Sequence, residues 1–167
     1  NRALTDPFEP GSTIKIFSTA AALSSGICSP SSIFYCENGA YRIGSNTIHD
    51  THPRGWLSLQ QIVKYSSNIG ITKVIEMVGP ETLYTTLKKF GFGNKTGLDC
   101  PGETSGILTP SHQWSKIDAS AIAFGQGMST SAIQLVSAAA AIANGGMLMK
   151  PFIVQSITNE HGRILKQ

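Results

Sequence analysis

Charge is scarce in this chain. Only 14% of its 167 residues are Asp, Glu, Lys or Arg, and 13 basic against 10 acidic side chains leave a net charge of +3. No basic run interleaves with aromatics, so the footprint of a nucleic-acid binder is missing and nucleic acid is excluded as a partner. Long apolar runs are missing as well. The longest, Ala132 to Ala143, contains Gln134 and Ser137 and falls short of the roughly 18 to 20 residues that cross a bilayer. Cysteine is limited to Cys28, Cys36 and Cys100. An odd count rules out complete pairing within the chain; Cys28 with Cys36 is the pair to expect if one forms, and free, partly buried thiols are the alternative. No signal peptide is expected within this stretch, and no internal repeat or low-complexity linker is evident. What remains is 41% hydrophobic content, enough for one sizeable core.

The most informative stretch is Glu9-Pro10-Gly11-Ser12-Thr13-Ile14-Lys15. Pro10-Gly11 signals a turn, and the chain then runs through Ile14, Ile16, Phe17 and Ala20 to Leu23 before Gly26, which reads as one mostly apolar helix. Residues three apart share a helix face, so Lys15 can reach the Ser12 hydroxyl. Apolar neighbours should take Lys15 out of water, favouring the neutral amine that can accept a proton. A hydroxyl becomes a useful nucleophile only beside such a base, and the backbone N–H groups of a helix start favour negative charge developing there. Taken alone, S-x-x-K is more often an N-cap serine with a snorkelling lysine.

A second cluster follows. Leu57 to Val63 has the pattern of an amphipathic helix start and leads through Lys64-Tyr65-Ser66-Ser67-Asn68 into a further helical run, Ile69 to Val78. Ser66 and Asn68 therefore fall at a helix junction, where a cap pair is the plain alternative. His49-Asp50-Thr51-His52 has too few ligands for a convincing metal centre; Asp50 and His52 are expected to bond backbone groups in a turn, and neither metal nor cofactor is expected. Gly125-Gln126-Gly127, two glycines around a polar residue, allows close backbone approach. Ile33 to Cys36, Ala40 to Ile43 and Thr47 to His49 read as strands of one small satellite sheet. Helices are expected at about 58–66, 68–78, 81–90, 118–124 and 131–143, and a terminal hairpin over Ile153 to Ile157 and Arg163 to Leu165.

These motifs together resemble the transpeptidase domain of class B, monofunctional penicillin-binding proteins of the division and sporulation type. The resemblance is carried by Phe8 to Phe17, Ile48-His49-Asp50, Ser66-Ser67-Asn68-Ile69-Gly70, Phe90-Gly91-Phe92-Gly93 and Asp99-Cys100-Pro101-Gly102-Glu103. It continues through Phe124 to Ser129, Gln134-Leu135 and Ala143-Asn144-Gly145-Gly146, in the family's order and over nearly the whole chain. It implies an α+β fold: the mostly helical part of a penicillin-binding protein and serine β-lactamase-like domain, with the small satellite sheet, the C-terminal hairpin and an incomplete main sheet. The family also has a K-[ST]-G strand. Lys95-Thr96-Gly97 has that spelling, but loop composition flanks it and it precedes Gly125-Gln126-Gly127, so it is expected to be a decoy, with the true strand after Gln167. Residues 1–167 are accordingly expected to be a partial domain.

The resemblance further implies a peptidoglycan D,D-transpeptidase. Ser12 would be the nucleophile toward D-Ala-D-Ala stem peptides and β-lactam antibiotics, Lys15 the general base and Ser66 the proton relay, while Asn68 would hold Lys15 and the substrate amide. Ser67, Gly125, Gln126 and Gly127 would bind or support the substrate. An N-terminal anchor outside this chain would hold the protein at the outer face of the bacterial cell membrane, with other cell-wall synthesis or divisome proteins as partners. Two further readings share the fold: a serine β-lactamase or carboxypeptidase, for which Glu103 is the available water-activating carboxylate, and a non-enzymatic penicillin-binding sensor module.

Overall fold

In a computed structural model, residues 1–166 are described. Seven α-helices carry the fold: α1 (Arg2–Thr5), α2 (Lys15–Ser24), α3 (Leu59–Tyr65), α4 (Asn68–Val78), α5 (Pro80–Lys89), α6 (Lys116–Ala123) and α7 (Ala132–Ala143). Local chemistry sets where most of them begin. Ser58 with Gln61, Ser115 with Asp118, and Ser131 with Gln134 close capping boxes on α3, α6 and α7, each satisfying backbone donors that a helix start leaves orphaned. Ser67 caps α4, accepting from the Gly70 N–H at 2.8 Å, and α5 opens with Pro80, whose missing N–H costs nothing there.

The core is organised around α2 and α4. Helix α2 and the turn before it bury Ile14, Phe17, Ala21 and Ala22, and the Phe17 ring meets Phe90 and Phe92 edge-on, each with centroids 5.0 Å apart. Helix α4 is covered on nearly all sides, with Ile69, Ile71, Val74 and Ile75 at most 2% exposed. Gly70 makes its crossing with α3 possible: a Cβ there would come within 2.5 Å of Ile62 Cγ1. Buried Gln134 ties α7 to two loops, donating to the Asn94 carbonyl at 2.5 Å and the Ser105 carbonyl at 2.8 Å.

The expected satellite sheet is instead two separate antiparallel ladders, β1 (Ile33–Tyr35) with β4 (Trp56–Ser58) and β2 (Ala40–Ile43) with β3 (Asn46–His49). Glu37 and Asn38, both in the left-handed region, turn the chain between them, while the Cys36 N–H donates to the Gly55 carbonyl at 2.7 Å and so extends the first ladder. Leu57 and Ser58, which open the helical pattern expected from Leu57 to Val63, thus end a strand instead. At the other end, the hairpin is shorter than its apolar pattern suggests, pairing β5 (Ile157–Thr158) with β6 (Ile164–Lys166). Ile153 and Val154 are outside it because Asp99 draws them away: its two carboxylate oxygens accept their N–H groups at 2.6 and 2.8 Å. No disulfide forms; all three cysteines are free, with Cys28 and Cys36 buried.

The edge-on cluster at Phe17 makes it the sensitive point of this packing. Phe17→Ala should lower the unfolding free energy by about 3–5 kcal/mol, read from urea denaturation at unchanged slope. A loss under about 1 kcal/mol would mean that α2 is not the packing centre.

Candidate active site

Ser12 does not start a regular α-helix. Gly11–Ile14 form a turn of 3₁₀-helix that runs straight into α2 at Lys15. The turn is fixed from outside the helix. Gly11, at φ +56°, donates its N–H to the Gly125 carbonyl at 3.0 Å, and a Cβ on Gly125, itself at φ +85°, would lie 2.0 Å from the Gly11 oxygen. Only glycine lets the two backbones touch. Gly125 thus fixes the backbone of the turn that carries Ser12. Gln126 and Gly127 are exposed, and the Gly127 N–H donates to Glu9 at 2.9 Å.

Lys15 is the centre of the site. It is 2% exposed, and its Nζ donates to Ser12 Oγ at 3.0 Å, to Ser66 Oγ at 2.8 Å and to the Ser66 carbonyl at 2.7 Å. Those three acceptors match the three donors of an ammonium. Burial pushes its pKa from 10.5 down to about 8, with the negative charge of Asp50 opposing that fall. A pKa near 8 leaves about a tenth of the molecules with a neutral amine at pH 7, poised to accept a proton. Ser66 can present both its oxygens to Lys15 because it closes α3 in the left-handed conformation, φ 56° and ψ 40°, which is uncommon for a residue with a side chain. Both hydroxyls, on Ser12 and Ser66, remain solvent-accessible while the amine between them is enclosed.

The neighbouring residues hold this triad. Asp50 accepts from Ser67 Oγ at 2.5 Å and, on its other oxygen, from the Asn68 and Ile69 N–H groups at 2.5 and 3.1 Å. A carboxylate on the first N–H groups of α4 satisfies orphan donors and complements the helix dipole. The backbone bonding expected of Asp50 is therefore present, but at a helix start rather than within its own turn. Ser67 is buried at 3% exposure and engaged in that cap, so it supports the site without facing it. The half-buried Asn68 donates its side-chain amide to the His49 carbonyl at 3.1 Å. The expected Asn68–Lys15 bond is thus replaced: Lys15 spends its donors on Ser12 and Ser66. Asn68 and Gln126 share the wall of a cleft of about 300 Å³ between β3 and α6.

Lys95-Thr96-Gly97 lies in a loop, not a strand. Its backbone donors are taken by Glu103, which accepts from the Thr96 N–H at 2.5 Å and the Gly97 N–H at 3.1 Å. Burial alone would raise the Glu103 pKa, but the hydrogen bonds from Thr96 and Gly97 and the charge of Lys95 outweigh it and hold the carboxyl ionised. Asp50 is the site residue whose role the sequence conceals, because its partners lie 17 to 19 positions away.

A model of the penicillin binding protein transpeptidase domain matches residues 1–167. The chain is 34% identical over 169 residues to penicillin-binding protein PbpB of Mycolicibacterium smegmatis, covering 100% of this chain and 26% of that protein. It is 35% identical over 167 residues to the probable peptidoglycan D,D-transpeptidase PenA of Neisseria flavescens, covering 99% and 41%. Among solved structures, penicillin binding protein 3 of Mycobacterium tuberculosis, complexed with ampicillin, superposes with a TM-score of 0.92 at 34% identity, over 100% of this chain and 37% of that one. The chain thus spans between a quarter and about two fifths of the length of these relatives.

Two measurements test the electrostatics. Below about pH 8 folded and unfolded chains both hold the Lys15 proton; between about 8 and 10.5 only the unfolded chain keeps it, so stability rises with pH in that window. The difference in unfolding free energy between wild type and Lys15→Met should move in favour of wild type by roughly 1–3 kcal/mol across it, and a flat difference would mean that Lys15 is not desolvated. Asp50→Asn removes the charge that holds the Lys15 pKa up, so the ¹⁵N-detected titration of Lys15 should shift to lower pH, with α4 losing about 1 kcal/mol of cap stabilisation. An unmoved titration would separate Asp50 from Lys15.

Proposed function

The chain belongs to the penicillin-binding protein transpeptidase family, and from that premise we propose that the protein is a peptidoglycan D,D-transpeptidase working through an acyl-serine. The observation that carries the reading is the buried Lys15 amine hydrogen-bonded to both the Ser12 and Ser66 hydroxyls. In its neutral form Lys15 takes the Ser12 proton as Ser12 Oγ attacks the carbonyl carbon of the penultimate D-alanine in a D-Ala-D-Ala stem. The tetrahedral oxyanion is met by the Ser12 N–H, at a helix start where backbone donors lack intrahelical partners. As the C–N bond breaks, Ser66 passes the proton from Lys15 to the leaving amine of the terminal D-alanine. An amine of a neighbouring stem then attacks the ester, Ser12 recovers its proton, and the cross-link is formed. A β-lactam follows the same first step, its ring amide opening to leave a slowly hydrolysed ester on Ser12.

Asn68, in the wall of the cleft it shares with Gln126, would meet the substrate amide. Gly125 fixes the nucleophile turn through Gly11. We assign the second oxyanion donor to a K-[ST]-G strand outside residues 1–167, since the backbone donors of Thr96 and Gly97 are held by Glu103. The same engagement speaks against Glu103 as the water-activating base that a β-lactamase would need. An N-terminal membrane anchor, placement on the outer face of the cell membrane and divisome partners complete the proposal; no helix among the described residues is itself long and apolar enough to cross a membrane.

Intact-mass analysis after incubation with a penicillin tests the assignment. The full-length protein should gain one penicillin mass, Ser12→Ala should gain none, and the acylation rate should climb with pH through about 8, as Lys15 loses its proton. Residues 1–167 alone should acylate about 100 to 1,000 times more slowly, the usual cost of one missing oxyanion donor. An adduct that survives Ser12→Ala, or none on the full-length protein, would refute the reading.

A further inference from the structure

We propose that the outward face of the β1–β4 ladder is a sugar-binding subsite, stacking a pyranose ring of the glycan strand whose stem peptide reaches Ser12; the proposal rests on the transpeptidase reading above. The register of the ladder sets Tyr35 opposite Trp56, with ring centroids 5.0 Å apart and planes tilted by 44°. Their neighbours Phe34 and Leu57 point into the core at 5% and 4% exposure, while Trp56 is 69% exposed. The alternation of the strands thus puts the larger ring on the wet side, where it packs on little besides Tyr35.

A single exposed aromatic is ordinary; the edge of this one is built. Glu37 and Asn38 are consecutive non-glycine residues at φ 51° and 50°, a costly backbone that persists only where its surroundings hold it. Here Lys73 pairs with the Glu37 carboxylate, and the Asn38 amide donates to Tyr35 Oη at 2.9 Å. Asn38 Oδ1 lies 3.5 Å from the point a Cβ on Gly55 would occupy, directly beside Trp56 in sequence. An aromatic platform with an amide acceptor and a phenol at its rim matches a sugar: the C–H face of the ring lies on the π surface and the equatorial hydroxyls meet the rim.

The chain links this strand to the residues beside Ser66. Two residues before Trp56, the Arg54 guanidinium sits 3.7 Å from the centroid of the Tyr65 ring, and Lys64 Nζ lies 5.4 Å from it. Tyr65 directly precedes Ser66. Positive charge gathered on Tyr65, the residue before Ser66, complements the carboxylates of stem peptides hanging from a glycan strand. A membrane surface is a poorer fit, because Asn38, Arg54 and Ser58 interrupt the apolar face.

Calorimetric titration of the full-length protein with peptide-free oligomers of β-1,4-linked N-acetylglucosamine and N-acetylmuramic acid tests the subsite. Wild type should bind, Trp56→Ala should weaken binding about fivefold or more, and Trp56→Phe should retain most of it. Penicillin acylation of Ser12 should be equal in all three, showing that the site itself is intact. No binding by wild type, or equal binding by Trp56→Ala, overturns the proposal. Capture of wild type but not Trp56→Ala by phosphatidylglycerol vesicles also overturns it, by making this a membrane face. Trp56-dependent sugar binding without any penicillin adduct would sink the transpeptidase reading and leave the sugar site standing.

Discussion

The arrangement depends on one buried amine that has exchanged water for three oxygens. Lys15 reaches out of α2 to both oxygens of Ser66, so the α3–α4 junction has to stand where an ammonium needs acceptors. Without them, enclosure at 2% exposure would leave an uncompensated charge. Several otherwise unfavourable features are explained by that demand. Ser66 adopts a left-handed conformation that presents its hydroxyl and its carbonyl together, and Asp50 anchors the start of α4 immediately behind it. The lowered pKa is the chemical by-product of the same burial.

The parts of the site that sequence reasoning recovers are those whose geometry is local. Ser12 and Lys15 are three residues apart on one turn, and that spacing survives the replacement of the first α-turn by 3₁₀-helix, where residues i and i+3 also align. The junction at Ser66 to Asn68 was legible because the apolar pattern breaks there, although the N-cap is Ser67 rather than Asn68. The helix starts expected at about 58, 118 and 131 fall within two residues of those observed, where Ser58, Ser115 and Ser131 close capping boxes.

What was illegible involves partners far apart along the chain. Nothing near Asp50 announces that its carboxylate will cap a helix beginning at Asn68. The first three short strands look like one sheet in sequence, because alternation reports which residues face inward but not which strands pair; β1 pairs across an intervening hairpin with β4, a strand the sequence pattern did not announce. Ile153 and Val154 carry a strand pattern, yet their N–H groups are claimed by Asp99. In the case of Asn68, the resemblance pointed to Lys15, whereas the side-chain amide is satisfied by the His49 carbonyl.

The contact between Gly11 and Gly125 constrains how such a site can change over time. Two segments more than a hundred residues apart meet backbone to backbone: Gly125 admits not even a methyl group without shifting the turn that carries the serine, and Gly11, with open space beside it, holds a left-handed conformation that favours glycine. Adaptation of the groove must therefore proceed through Gln126 and the cleft wall it shares with Asn68, where side chains can be exchanged without moving the nucleophile. The site thus combines a frozen backbone joint with an adjustable rim.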